Sequence, residues 1–365
     1  MAPPDITSWL DALGEPLVLM IAGISVGMMF GIAAQQSQFC LRSASIAFWR
    51  GRFDVALSVW LLTFFTALFG VQLLVASGTL ETGAVRQLTT PGTLSGAVIG
   101  GLMFGAGMIL ARGCASRLLV LSATGNLRAL VTGLVLTIVA QASLRGVLSP
   151  ARIEASSWWL IDADARGVLL AIPVWAPLTL ALIGLGIAIA MAAWCRLSPY
   201  RSAMACCVGL AVVAGWGVTA WIGRYGFDIV SVKSISFTGP SADTLMALVQ
   251  TPTLPLTFDT GLVPGVFAGS MIAAVCSRQF KLQEFGGDIS LVRYLTGAVL
   301  MGFGGMLAGG CAVGAGVTGG SVLAATAWIS LLAMWLAAGL TDAILDRPPA
   351  LPESEHEPSA EAPVR

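Results

Sequence analysis

Charge is scarce along this chain. Only 10% of its 365 residues are Asp, Glu, Lys or Arg, against roughly 25% in a soluble globular domain, and 19 basic residues balance 19 acidic ones. That balance excludes a polybasic nucleic-acid surface. Histidine is scarcer still: the single one, His356, lies close to the C-terminus. Seven cysteines are present (Cys40, Cys114, Cys195, Cys206, Cys207, Cys276 and Cys311), with no C-x-x-C pair among them. The ligand sets of zinc and haem sites are therefore missing, and neither a metal nor any other cofactor is expected. The first residues, MAPPDITSWLDALGEP, lack the basic stretch of a cleavable signal, so the first apolar run is expected to be a retained span.

Apolar residues fill the space that charge leaves. They make up 56% of the chain, and the mean hydropathy is +0.86. Runs close to the ~20 residues that cross a hydrocarbon core recur throughout, among them Leu17 to Ala34, Val55 to Ala76, Leu178 to Trp194 and Ala324 to Leu345. About nine such runs predict an all-α polytopic membrane protein with the lipid bilayer as its main solvent. The expected layout is an N-terminal segment over 1–16, a membrane domain over 17–345 with halves near 17–195 and 203–345, and a disordered Pro/Glu/Ala-rich tail over 346–365.

Seventeen of the basic residues are Arg, and most sit in short loops: Arg42, Arg50 and Arg52; Arg112, Arg117 and Arg128; Arg196 and Arg201; Arg278, Lys281 and Arg293. Placing those loops in the cytoplasm puts the N-terminus in the periplasm and the C-terminus in the cytoplasm. The opposite loops, 77–92, 145–167 and 223–243, then hold six basic residues against twelve. Asp54, Glu81, Asp228 and Asp259 fall at span ends and read as solvated charges, while Trp158, Trp159, Trp216 and Trp221 fit interfacial belts.

The chain repeats itself. Residues 105–114 read GAGMILARGC and residues 302–311 read GFGGMLAGGC, both fitting G-x-G-x-x-x-A-x-G-C. Threaded through the spans above, the first copy runs inward and the second outward, an inverted arrangement of the kind that places transporter sites on interrupted helices near the midplane. Arg112-Gly113-Cys114 and Gly309-Gly310-Cys311 are the expected interruptions, since glycine inside a helix costs about 1 kcal/mol relative to Ala. A second echo sets Gly27, Gly31 and Ser37-Gln38-Phe39-Cys40 beside Gly265, Gly269 and Arg278-Gln279-Phe280-Lys281. Small residues four apart also serve close helix packing in lipid.

A helix that restarts after a Gly-Cys break presents free N–H groups and the positive end of its dipole to the cysteine, which is an anion-binding arrangement needing no charged side chain. Neutral thiols are weak donors. A series of them suits hand-over of a soft anion that must enter and leave easily. Cys114 and Cys311 are the leading candidates, with Gly113 and Gly310 beside them. Cys195, Cys206, Cys207 and Cys276 lie on ordinary apolar stretches and read as small packing residues.

These motifs, with Q-S-Q-F-C-L-R-S-A around Cys40, resemble the YeeE/YedE sulfur-transport family of bacterial inner-membrane proteins over about residues 17–345. The resemblance implies a helical bundle of about nine spans plus short half-helices meeting at a central constriction, with pseudo-symmetric inverted repeats. It implies that Cys40, Cys114 and Cys311 pass thiosulfate along by thiol hydrogen bonds, and that a cytoplasmic TusA-like sulfur-carrier protein is a partner. Some relatives handle other sulfur or selenium species. The competing reading is a membrane sulfurtransferase with a persulfide relay; it needs an activated thiolate, and no intramembrane His or Lys lies near Cys114 or Cys311 in the sequence.

Overall fold

The structure, a computed structural model, describes residues 13–89, 92–162, 173, 175–226, 230–250, 252, 254–283 and 291–346. Asp228, residues 1–12 of the N-terminal segment and residues 347–365 of the expected tail lie outside the described residues. Among the described residues, nine helical segments are long and apolar enough to cross a membrane. The protein is an integral membrane protein, all-α among the described residues apart from one short two-stranded ladder, β1 (Gly92–Thr93) against β2 (Leu160–Ile161).

Several helix starts follow from local chemistry. Helix α1 (Glu15–Ser37) opens with Pro16, whose missing N–H is no loss in a first turn. It is followed by a short helix α2 (Leu41–Trp49). Asp54, expected to be a solvated charge, instead caps α3 (Val55–Ala76): its Oδ1 accepts from the Ala56 N–H at 2.9 Å. A π-helical turn, Gly96–Gly100, leads into α4 (Gly101–Leu110), and α5 (Ala115–Ala123) follows after a break. Asn126 caps α6 (Leu127–Arg145) through the Ala129 N–H at 2.9 Å. Then come α7 (Ser149–Ser157), α8 (Trp175–Trp194), α9 (Pro199–Tyr225) and the half-length α10 (Thr238–Gln250). The last elements are α11 (Phe258–Cys276), α12 (Leu291–Leu307), a π-helical segment Ala312–Gly319, and α13 (Ala325–Leu345).

Two glycine-lined seams join the halves. Gly23, Gly27 and Gly31 of α1 face the backbone of α11 at Phe258, Leu262 and Val266, and Gly261, Gly265 and Gly269 of α11 face Met20, Ile24 and Met28 in return. A Cβ on Gly27 would lie 2.5 Å from the Leu262 carbonyl oxygen, so only glycine lets the backbones approach this closely. The residue numbers rise together, so α1 and α11 are parallel. In the other seam Gly100 faces Gly304 and Gly107 faces Gly297, so α4 and α12 are antiparallel.

These directions explain the second echo: Gly27/Gly31 and Gly265/Gly269 mark two parallel helices packed on each other. The inverted partner of α1 is α9, antiparallel to it, with Arg201 reaching Ser37 and Gln38 at one end and Gly226 lying against Glu15 at the other. Exchanging α1 with α9, α3 with α11, α4 with α12 and α6 with α13 maps the packing onto itself. The parallel pair α1/α11 becomes α9/α3, which is also parallel, with Thr63 on Ala205 and Gly70 on Val213; α4/α13 becomes α12/α6, with Gly101 on Ser330 and Gly302 on Leu136. The sequence echo followed a packing stripe shared by the two faces of one seam.

The loops sort into two faces as threading expects. On one, Val85 bridges Val232, Gly92 pairs with Ile161, and Arg224 bonds Glu81 at 2.7 Å. Lys233 pairs with Asp259 on the same face, so Glu81 and Asp259, like Asp54, have partners. On the opposite face Arg50 holds the buried Asp342 through two 2.8 Å bonds, and Arg293 holds Asp346 at 2.8 and 2.9 Å. Trp158 and Trp159 are exposed as expected of a belt, whereas Trp216 is buried inside the bundle, where α9 packs on both α1 and α3.

Candidate functional site

The three cysteines singled out in the sequence occupy one recurring backbone element. Helices α1, α4 and α12 each end on a residue with left-handed backbone: Gln38 at φ 58°, Arg112 at φ 54° and Gly309 at φ 79°. The next N–H reaches back five residues, Phe39 to Ala34 O at 3.2 Å, Gly113 to Met108 O at 3.1 Å and Gly310 to Gly305 O at 2.8 Å. This is the Schellman ending, which satisfies carbonyls otherwise orphaned at a helix end. The following residue is the cysteine, and each cysteine is the cap of a new helix: Cys40 of α2, Cys114 of α5 and Cys311 of the π-helical segment. Helix end, left-handed residue, spacer, cysteine, helix start: the element occurs three times.

In this setting Gly309 and Arg112 are equivalent hinges, which answers why the two motif copies differ there. A left-handed residue favours glycine, and Arg adopts the same conformation at a local penalty. Gly310 is required for another reason, because a Cβ would lie 2.7 Å from the Ala315 N. Gly113 is less constrained, its missing Cβ facing the flexible end of Leu118 at 3.3 Å.

The left-handed residues are exposed while all three cysteines are buried, Cys40 at 7% and Cys114 and Cys311 at 1% of their accessible surface. Each thiol faces the first turn of the helix it starts. Cys311 Sγ accepts from the Gly314 N–H at 3.4 Å, and Cys114 Sγ lies 3.3 Å from Ser116 Oγ. The Cys40 and Cys114 thiols are close enough to influence one another, with Ser43 beside the first and Arg117 near both. An N-terminal helix end carries about half a positive charge, so this part of the bundle combines partial positive charge, soft sulfur and little competing acid. Among the described residues no cluster of His, Cys, Asp or Glu has the makings of a metal site.

Arginines gather on the Gln38 and Arg112 side of these breaks. Arg201 donates to the Ser37 carbonyl and to Gln38 Oε1 at 3.3 and 3.2 Å, and Arg42 and Arg112 are close enough to influence each other. Arg117 Nη1, Arg42 Nε and Arg201 Nε are buried nitrogens with no protein acceptor among the described residues. Next to them Arg128 bonds the Tyr294 hydroxyl at 2.8 Å and stacks on its ring, beside a cavity of about 180 Å³ that Arg112 also lines. Sequence reading gave Arg112 and Arg117 no firm role, because which arginines converge depends on the tertiary fold.

The remaining cysteines stand apart. Cys195 donates to the Phe53 carbonyl at 3.2 Å, Cys206 and Cys207 are half-buried on α9, and Cys276 is exposed at the end of α11. Cys206 and Cys207 pack against the hydrophobic core, as expected of small packing residues, and none of the four caps a helix.

Comparison with known proteins agrees with the geometry. The chain matches the family described as sulphur transport over residues 36–340, a stretch that includes all three cysteine breaks. It is 28% identical over 347 residues to the thiosulfate transporter TsuA of Escherichia coli, a match covering 87% of this chain and 92% of that protein. It is 27% identical over 326 residues to the thiosulfate transporter TsuA of Spirochaeta thermophila, covering 84% and 93%. An integral membrane bundle that buries three cysteines at helix starts, matched over most of its length, belongs to the sulphur transport family.

Proposed function

We propose that this protein is a permease that takes thiosulfate across the bacterial inner membrane by passing it between the thiols of Cys40, Cys114 and Cys311. The observation that carries this reading is the threefold recurrence of a buried cysteine at the first turn of a restarted helix. Each such turn offers unpaired N–H groups to an anion's oxygens, and each thiol offers a weak, polarisable contact to its terminal sulfur. Weak sites in series allow passage where one strong site would trap the ion. Gly113 and Gly310 serve by holding the turns open. Both relatives compared above carry the name thiosulfate transporter, which favours thiosulfate over other sulfur or selenium species.

The face bearing Arg42, Arg112, Arg117 and Arg201 is assigned to the cytoplasm, with the C-terminus on that side. Its arginines receive the anion at the end of the path, and a TusA-like sulfur-carrier protein collects the sulfur there. No covalent step is required, so the protein acts as a permease and not as an enzyme.

The competing persulfide relay shares the Cys40 and Cys114 pair and is favoured by their proximity and by the nearby Arg117. Purified protein in liposomes, given labelled thiosulfate and then analysed by intact mass, separates the two. Influx with unchanged protein mass supports permeation. A stable gain of one sulfur atom on a cysteine, without influx, refutes it.

A further inference from the structure

The bundle contains a fourth half-helix start that carries no cysteine. Helix α10 packs on α11, α6 and α12 as α2 packs on their inverted partners α3, α13 and α4. It is therefore the counterpart of α2, although the longer α9 and the loop after it hide the match in the sequence. A phenylalanine stands at each start, Phe39 two residues ahead of Leu41 and Phe237 directly ahead of Thr238, and both rings rest on Phe30, at centroid distances of 6.4 Å for Phe39 and 5.1 Å for Phe237. The residue after Phe39 is Cys40. The residue after Phe237 is Thr238.

The segment leading to Thr238 crosses the second break. Thr318 Oγ1 donates to the Ile235 carbonyl at 2.6 Å, Ser236 lies against Gly314, and Thr238 lies against Gly305, where a Cβ would meet its hydroxyl at 3.0 Å. Gly305 and Gly314 flank the Cys311 turn: one accepts the Schellman bond from Gly310 and the other donates to Cys311 Sγ. Thr238 has no exposed surface, yet its hydroxyl finds no hydrogen-bond partner among the described residues. Buried hydroxyls are normally paired, and an unpaired one calls for a ligand or water to complete it. At Thr63 and Thr219 the fold does supply that partner, through Ala205 and Lys233, and the other buried threonine hydroxyl without one among the described residues, Thr66, lies on α3.

We propose that Thr238 is a fourth contact on the anion path, its hydroxyl donating to an oxygen of the substrate beside Cys311, in the place that the Cys40 thiol takes beside Cys114. This rests on the permease reading and deepens it. The two halves then differ in chemistry: a thiol pair at one break, and a thiol with a hydroxyl at the other. A hydroxyl is a better donor to an oxygen than a thiol is. The Thr238 side thus prefers the oxygen-bearing end of a thiosulfate-like anion, while the Cys40 and Cys114 side suits the sulfur.

The test is uptake of labelled thiosulfate into proteoliposomes containing the full chain, with melting temperature measured on the same preparations. Thr238→Val keeps the shape and removes the donor; Thr238→Ser and Thr238→Cys keep a donor. The expectation is about a ten-fold loss of uptake in Thr238→Val, as follows from one hydrogen bond to a charged group, with an unchanged or higher melting temperature because no protein bond is lost. Thr238→Ser should stay near wild type, and Thr238→Cys should fall between the two. Wild-type uptake by Thr238→Val, or equal loss in all three variants, overturns the assignment while leaving the permease reading intact. A wild-type protein that moves no thiosulfate overturns both.

Discussion

The seam between α1 and α11 makes a demanding prediction, because the same substitution should have opposite effects at two glycines. In Gly27→Ala the new methyl group would sit 2.5 Å from the Leu262 carbonyl oxygen and 3.0 Å from the Val266 nitrogen. Both are backbone atoms on a helix held along its length, so neither can turn aside. Relief requires the two helices to separate, and overpacking of this kind costs about 1–3 kcal/mol. On α8, Gly186 has nothing within 4 Å of where its Cβ would be, and Gly186→Ala should keep the full helix-propensity gain of up to about 1 kcal/mol. Both variants share that gain, so the difference between them isolates the clash. Thermal melting of the purified proteins should place Gly186→Ala at or above wild type and Gly27→Ala clearly below it. Uptake should fall in Gly27→Ala too, since Gln35 meets Gln279, and Gln36 meets Ala273 and Ser277, where the seam runs into the Cys40 hinge. Equal melting temperatures for the two variants would refute the account of how the first break is held in place.

Other consequences are more local. Asp342 is buried and bound by a partly exposed Arg50 through two hydrogen bonds, so Asp342→Ala should lower stability by about 1–2 kcal/mol, the loss of charged hydrogen bonds from a partner that water can reach, as read by melting. Arg112→Gly should stabilise by about 1 kcal/mol by relieving a left-handed non-glycine residue, and Gly309→Ala should destabilise by a similar amount; the pair of melts tests whether the two hinges are equivalent.

Much of the architecture was legible in the sequence, and the reasons are specific. Span lengths follow from hydropathy because lipid tolerates few alternatives to a continuous helix. The breaks at Cys114 and Cys311 announced themselves through glycine density and repetition. The inverted pairing of α1 with α9 was not legible, because the Gly27/Gly31 pattern answers to whichever backbone it packs on, and that proved to be α11. Nor could the sequence show that Gln38, a residue with no glycine-like signature, takes the same left-handed turn as Gly309. Its place before Phe39-Cys40 became meaningful only once three turns of equal spacing were visible together. Thr238 escaped notice for a related reason: its counterpart is a cysteine, and twelve residues separate the end of α9 from the start of α10.

The central claim is that the three break cysteines, and not cysteines in general, move the anion. The most direct measurement is initial uptake of labelled thiosulfate by proteoliposomes carrying Cys40→Ala, Cys114→Ala or Cys311→Ala, with Cys195→Ala and Cys206→Ala as folded controls. The account predicts loss of at least about ten-fold in each of the first three, as expected when a hydrogen-bonding site on the path is removed, and near wild-type uptake in the controls. Uptake that survives in Cys114→Ala and Cys311→Ala at normal protein levels would contradict it.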